Sequence, residues 1–177
     1  VYTMNPEIIF SAEKVIFPGV GDASYAMKKL KNNNLDKLIP NLKQPLLGIC
    51  LGMQLLLNES DESEKNVKGL GVIEGRCVDI STKIEDNIPV PHMGWSEVSV
   101  VNKDNKLTKD IDDGDSFYFA NSYYCEVSKD QITGNFNYGS VYFPAIISNN
   151  SNVFGVQFHP EKSQKKGIQI IRNFVNA

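Results

Sequence analysis

The segment from Gln44 to Leu57 does most to restrict how this chain can fold. Gln44-Pro45 opens an apolar run, Leu46-Leu47-Gly48-Ile49, which ends at Cys50 and passes through Leu51-Gly52 into a helical run, Met53 to Leu57. A short apolar run bounded by turn residues reads as a buried strand, and one that feeds a helix without a polar loop belongs to a parallel sheet. The pattern occurs once more upstream. Lys14-Val15-Ile16-Phe17 reads as a buried strand entering the turn Pro18-Gly19-Val20-Gly21. Asp22 then suits a helix N-cap, followed by Tyr25, Ala26, Met27 and Leu30 at helical spacing.

The second half changes character. Val72-Ile73, Cys77-Val78, Val98–Val101, Phe117–Phe119, Tyr123–Val127, Tyr142–Ile147 and Val153–Phe158 are strand-like, with few helical patterns between them. The last twelve residues return to a helix, with Ile168, Ile171, Phe174 and Val175 on one face. The expected fold is α/β, a mainly parallel sheet flanked by helices with an antiparallel extension in the second half. At 177 residues the chain is long enough for one core and too short for a second catalytic domain of similar size, so residues 1–177 are expected to form one domain.

Composition narrows the function classes. Hydrophobic residues make up 41% and charged residues 22%, ordinary for a globular domain, and a net charge of −3 argues against a nucleic-acid binder. No apolar run approaches the roughly 20 residues of a membrane helix. The start, VYTMNPEIIF, has no signal-peptide pattern, which makes the cytoplasm the default expectation; lacking an initiator Met, it reads as processed, trimmed or part of a longer chain. Cys50, Cys77 and Cys125 are odd in number and lack CxxC spacing, and His92 and His159 are the only histidines. A disulfide framework, a metal centre and a bound cofactor are therefore not expected.

Gly48-Ile49-Cys50-Leu51-Gly52 has the form of a nucleophile elbow, with glycines allowing a tight strained turn and the following helix aiming its positive N-terminus at Cys50, which favours thiolate. On these five residues alone a buried core cysteine competes evenly. Pro18–Gly21 could cradle a phosphate, but neither GxGxxG nor GxxxxGK[ST] is present. The better use is an oxyanion hole, with Leu51 N–H as a second donor. Downstream, Gly155-Val156-Gln157-Phe158-His159-Pro160-Glu161 carries His159 to a strand end, with Glu161 on the same side if Pro160 keeps the chain extended. A lone His-x-Glu is more often structural; with a cysteine elbow it becomes a triad candidate.

GICLGMQ at 48–54 followed by FGVQFHPEKS at 154–163 resembles the class I glutamine amidotransferases. FPGVG at 17–21, PHMGW at 91–95 and FYFANSYY at 117–124 are similar to the glutaminase subunits of imidazole glycerol phosphate synthases, over nearly the whole chain. The resemblance implies glutamine as substrate, a Cys50–His159–Glu161 triad, and an oxyanion turn of Gly19, Val20 and Gly21 with Leu51. It implies substrate contacts at Gly52, Gln54, Glu62, Ser122 and Tyr123, with Glu62 pairing with the ammonium group. It further implies a synthase or cyclase subunit as heterodimer partner, a β/α barrel in the family, meeting this chain at Met93, Trp95, Tyr118 and Lys162. Trp95 is expected to end a proline-stiffened loop. Cys77 and Cys125 read as plain core, and His92 as structural or interfacial.

The chain departs from the family pattern at Asn121, where HSY is usual, and at Ser96, where Asn is usual. Those changes keep open a paralogous amidotransferase feeding a different synthase, for example in amino-sugar synthesis; a catalytically dead regulatory subunit and a cysteine hydrolase of another amide are further alternatives. The sequence also begins within what resembles the family's second strand, so the first strand and its helix are expected to be missing.

Overall fold

The computed structural model describes residues 1–62 and 66–177. Strands β1 (Val15–Gly19) and β2 (Leu46–Cys50) lie parallel and in register, Val15 opposite Leu46 and Gly19 opposite Cys50. Three further short strands, β3 (Glu59–Ser60), β4 (Val67–Lys68) and β5 (Arg76–Asp79), precede the long β6 (His92–Val100). Then come β7 (Asp115–Asn121), β8 (Tyr123–Glu126), β9 (Ile132–Tyr138), β10 (Val141–Ser148) and β11 (Val153–Val156). The helices are α1 (Pro6–Ser11), α2 (Ala23–Asn32), α3 (Leu35–Leu38), α4 (Leu51–Leu55) and α5 (Gln164–Val175).

The large sheet has the order β1-β2-β11-β10-β9-β6-β7. β1, β2 and β11 form its parallel part, and every ladder from β11 to β7 is antiparallel. The expected α/β fold, with helices beside a sheet that carries an antiparallel extension, is what the chain forms. The sheet, expected to be mainly parallel, is mixed, with two parallel ladders and four antiparallel ones, and a second sheet, β4-β3-β5-β8, lies beside it. One apolar cluster gathers Phe117, Phe119, Phe136, Phe143, Phe158, Ile170 and Phe174 under the antiparallel part. Another packs Met27, Leu30, Leu46, Met53, Leu56 and Ile73 around the first strands, α2 and α4.

Several local expectations change. β1 was expected to be buried, but as an edge strand of the sheet it alternates, leaving Ile16 41% exposed. Val72-Ile73 makes no strand; both N–H groups fold back onto the Leu56 carbonyl at the end of α4. Residues of β9, ITGNFNY, gave no strand signal because Gly and Asn interrupt the apolar alternation. In α5 the core-facing residues are Gly167, Ile170, Asn173 and Phe174, whereas Ile168 and Val175 are exposed. Asp22 does cap α2, its Oδ1 accepting from the Tyr25 N–H at 2.7 Å.

Candidate active site

Cys50 ends β2 with φ +51° and ψ −115°, a backbone region that side chains with a β-carbon rarely occupy. The elbow is therefore strained at the cysteine itself. Gly48 and Gly52 were expected to supply the turn's freedom, yet neither has positive φ. They make room instead: a β-carbon on Gly52 would overlap the Phe17 carbonyl oxygen, and one on Gly48 would lie 2.8 Å from the Met53 backbone nitrogen. Small residues let α4 settle directly on β1 and β2.

The sheet register brings two segments to either side of Cys50. On one side Gly19 is its register partner, and the chain continues through exposed Val20 to Gly21, whose φ of +91° with open space around it explains the glycine. On the other side Val156 pairs with Ile49, so Gln157 comes alongside Cys50, followed by His159 and Glu161. All of this lies at the C-terminal ends of parallel strands, where the sites of such sheets sit.

His159 is buried and its Nδ1 lies 2.8 Å from Glu161 Oε1. A carboxylate only accepts, so Nδ1 carries the hydrogen of this contact; the neutral tautomer with that hydrogen is the one whose Nε2 can act as a base. The route to that contact differs from the extended chain expected: Pro160–Lys162 form one turn of 3-10 helix, which folds Glu161 back onto the imidazole.

Among the described residues no hydrogen bond joins His159 to Cys50. The sulfur instead meets Gln157 Nε2 at 3.7 Å and the Leu51 backbone N–H. Burial pushes the Cys50 thiol up to about 11; the Leu51 and Gln157 donors oppose this, while the charges of Glu161 and Glu62 add to it. The expected thiolate is thus overturned in this state, because desolvation outweighs the end of a five-residue helix.

Gln54 lies one turn after Cys50 as expected, but buried, its Nε2 donating to the Tyr123 carbonyl at 3.3 Å and to Gln157 Oε1 at 3.0 Å. Glu62 is half-buried, and its Oε2 accepts from the Ala23 N–H at 2.7 Å at the start of α2. Burial raises its carboxyl above the usual range, the Ala23 N–H lowers it and Asp22 raises it. The Ser122 carbonyl takes the Ile80 N–H, and the Tyr123 carbonyl takes Gln54 and Asn121. Gln157 and Ser163 were missed. A glutamine inside the apolar segment Val153–Phe158 was the available signal, since a buried amide requires partners.

The four surface candidates form one strip. Met93 and Trp95 are exposed on β6; Trp95 is the cross-strand partner of Tyr118, with ring centroids 6.1 Å apart, and Lys162 Nζ stands 5.5 Å from the Tyr118 ring centre. Trp95 sits within a strand, not at a loop end. Its neighbour His92 is core: its ring stacks against both Phe119 and Phe136, and Nε2 lies 3.0 Å from Ser96 Oγ. Cys77 and Cys125 are buried register partners across β5 and β8. Among the described residues no acidic, histidine or cysteine group could hold a metal ion, and no helix is long and apolar enough to cross a membrane.

Residues 4–177 match the family model described as glutamine amidotransferase class-I. The imidazole glycerol phosphate synthase subunit HisH of Methanocaldococcus jannaschii is 43% identical over 177 residues, 99% of this chain and 86% of the relative. Subunit HisH 1 of Methanococcus maripaludis is 44% identical over 182 residues, covering 99% and 86%. At the level of fold, a solved glutamine amidotransferase superposes with a TM-score of 0.69 at 14% identity, covering 98% of this chain and 83% of that one. The glutaminase domain of Trypanosoma brucei CTPS, solved with bound acivicin, gives 0.57 at 16% identity, covering 97% and 74%. The chain belongs to the class I glutamine amidotransferase family.

Proposed function

We propose that this chain is the glutaminase subunit of an imidazole glycerol phosphate synthase, releasing ammonia from glutamine for a cyclase subunit that makes imidazole glycerol phosphate and AICAR in histidine biosynthesis. The observation that carries the chemistry is Cys50 held at positive φ, with the Gly19–Gly21 turn on one side and the His159–Glu161 pair on the other. The pathway reading rests on relatives named as HisH that are similar over nearly the full chain.

In this mechanism Cys50 passes its proton to His159 Nε2 and the sulfur attacks the side-chain carboxamide carbon of glutamine. Leu51 N–H and the Gly19-Val20-Gly21 turn receive the oxyanion. His159 then gives its proton to the nitrogen, the C–N bond breaks and ammonia leaves. Water, deprotonated by His159, hydrolyses the glutamyl thioester to glutamate and restores the thiol. Gly52, Gln54, Glu62, Ser122 and Tyr123 line the place of the amino-acid end, with Glu62 opposite the ammonium group. No metal or organic group enters this cycle.

Ammonia free in neutral water is mostly protonated and a poor nucleophile, so a closed transfer into a docked partner follows from the chemistry. Met93, Trp95, Tyr118 and Lys162 are the docking strip in this reading. The unbonded Cys50–His159 pair and the protonated sulfur fit a chain that is a poor glutaminase until its partner docks. The test is to purify the chain together with a cyclase subunit of this kind of synthase and follow glutamine-dependent formation of imidazole glycerol phosphate. Glutamate release without that product, restored by a different synthase, would assign the chain to another acceptor; no release with any partner would refute the glutaminase reading.

A further inference from the structure

Gln157 is wholly buried in an otherwise apolar segment, so both ends of its amide need partners. Oε1 accepts from Gln54 Nε2 at 3.0 Å, and Nε2 faces Cys50 Sγ at 3.7 Å. That direction is fixed from a distance. The Tyr123 backbone carbonyl receives Gln54 Nε2 at 3.3 Å and Asn121 Nδ2 at 3.0 Å. A carbonyl oxygen can only accept, so Gln54 must turn its NH2 toward it. The same NH2 then requires an oxygen from Gln157, which leaves Gln157 only its own NH2 to present to the sulfur. Reversing either amide would set two donors or two acceptors against each other.

We infer that Gln157 is a positioning residue for the nucleophile, meeting the Cys50 sulfur with an N–H donor whose bond strengthens as negative charge develops there, and linking that donor to Gln54. A hydrogen bond to a thiolate is charge-assisted, whereas one to a thiol is weak, so the gain falls on the reactive form. Gln157 sits at hydrogen-bond distance in the same state in which His159 does not, so it holds the sulfur before the base engages. The inference rests on Cys50 being the nucleophile.

A diazo-ketone analogue of glutamine, which alkylates an attacking cysteine, separates the two readings. Alkylation of Cys50 by that reagent tests the nucleophile itself; its dependence on Gln157 tests this inference. In Gln157→Met, of similar length but without an N–H, the maximal rate of Cys50 alkylation is expected to fall about tenfold or more. The half-saturating concentration should change by less than about threefold. An unchanged maximal rate, whether or not the half-saturating concentration rises, would make Gln157 a core filler or a support for Gln54 alone and overturn the inference. Should the variant not fold, the contact is read in the intact fold by NMR of nitrogen-labelled glutamine side chains. The NH2 signals of Gln157 are expected to shift between the wild-type chain and Cys50→Ala, and unshifted signals would contradict the contact.

Discussion

The main chain of Tyr118 grips the main chain of His159 from two directions. The His159 N–H donates to the Tyr118 carbonyl at 2.8 Å, while the Tyr118 N–H donates to Ser163 Oγ at 2.9 Å, which itself donates to the His159 carbonyl at 2.6 Å. The Tyr118 side chain meanwhile faces Trp95 and Lys162 on the surface strip. One residue of β7 therefore joins the strip proposed for docking to the proposed base, and a shift of the strip is expected to move the imidazole.

Ser163→Ala removes one arm of that grip. Loss of a buried hydrogen-bonded hydroxyl is expected to lower stability by about 1–2 kcal/mol, leaving the fold intact. The larger effect should be on the stimulation of glutamate release by the partner, measured as the ratio of steady-state rates with and without it. An unaltered ratio would show that Ser163 holds the loop without coupling it.

Trp95 is 48% exposed, paired edge-on with Tyr118 rather than enclosed. Trp95→Ala should barely change the melting temperature, yet weaken binding of the cyclase by about 2 kcal/mol or more, as central aromatic anchors do. Since Trp95 is the only tryptophan, its emission reports docking directly when the partner is prepared without Trp. A large loss of stability together with an unchanged emission on mixing would remove Trp95 from the interface.

Two glycines of the site should respond to the same methyl group to different degrees. Gly52→Ala drives a β-carbon into the Phe17 carbonyl, and α4 must lift from β1, for a loss of about 3 kcal/mol or more. Gly21→Ala meets nothing within 4 Å and carries only the strain of φ +91°, about 1 kcal/mol. Urea denaturation of the two variants measures both, and equal losses would contradict the packing described for α4.

Burial lowers His92 from its ordinary value of 6.5 to about 4. Between those values the unfolded chain binds a proton that the folded chain refuses, so the unfolded state holds more protons and stability rises with pH. The contribution is complete above about 6.5 and is lost as pH falls toward 4, by about 3 kcal/mol at most. In His92→Phe this part of the acid slope should vanish; an unchanged slope between those pH values would show that other groups carry it.

The elbow, the helix cap at Asp22 and the order of motifs were legible because each depends on neighbours in sequence: Gly48, Cys50 and Gly52 within five residues, and Asp22 three before Tyr25. Less legible was anything set by distant partners. That Cys50 is a thiol at neutral pH follows from burial by segments far along the chain. The strand containing Trp95 depends on pairing with β7 and β9, which the proline-rich approach concealed. Glu62 appeared as the end of an acidic run, and only the fold brings it to the first amide of α2. Gln157 was written next to His159 all along, but its task depends on Gln54 and Tyr123, more than a hundred and more than thirty residues away in sequence.

In the proposed mechanism Cys50 alone among three thiols attacks glutamine. Burial raises all three thiols, Cys50, Cys77 and Cys125. What sets Cys50 apart is its place at the end of β2 beside the Gly19–Gly21 turn, whereas Cys77 and Cys125 are fully enclosed register partners in the second sheet. The most direct measurement treats the chain, bound to its cyclase, with the diazo-ketone analogue of glutamine and locates the adduct by peptide mass spectrometry. One adduct, on the peptide carrying Cys50, with parallel loss of glutamate release and retention of ammonia-dependent synthesis, is the expected result. Adducts spread over Cys50, Cys77 and Cys125, or glutamate release that survives in Cys50→Ala, would contradict the account.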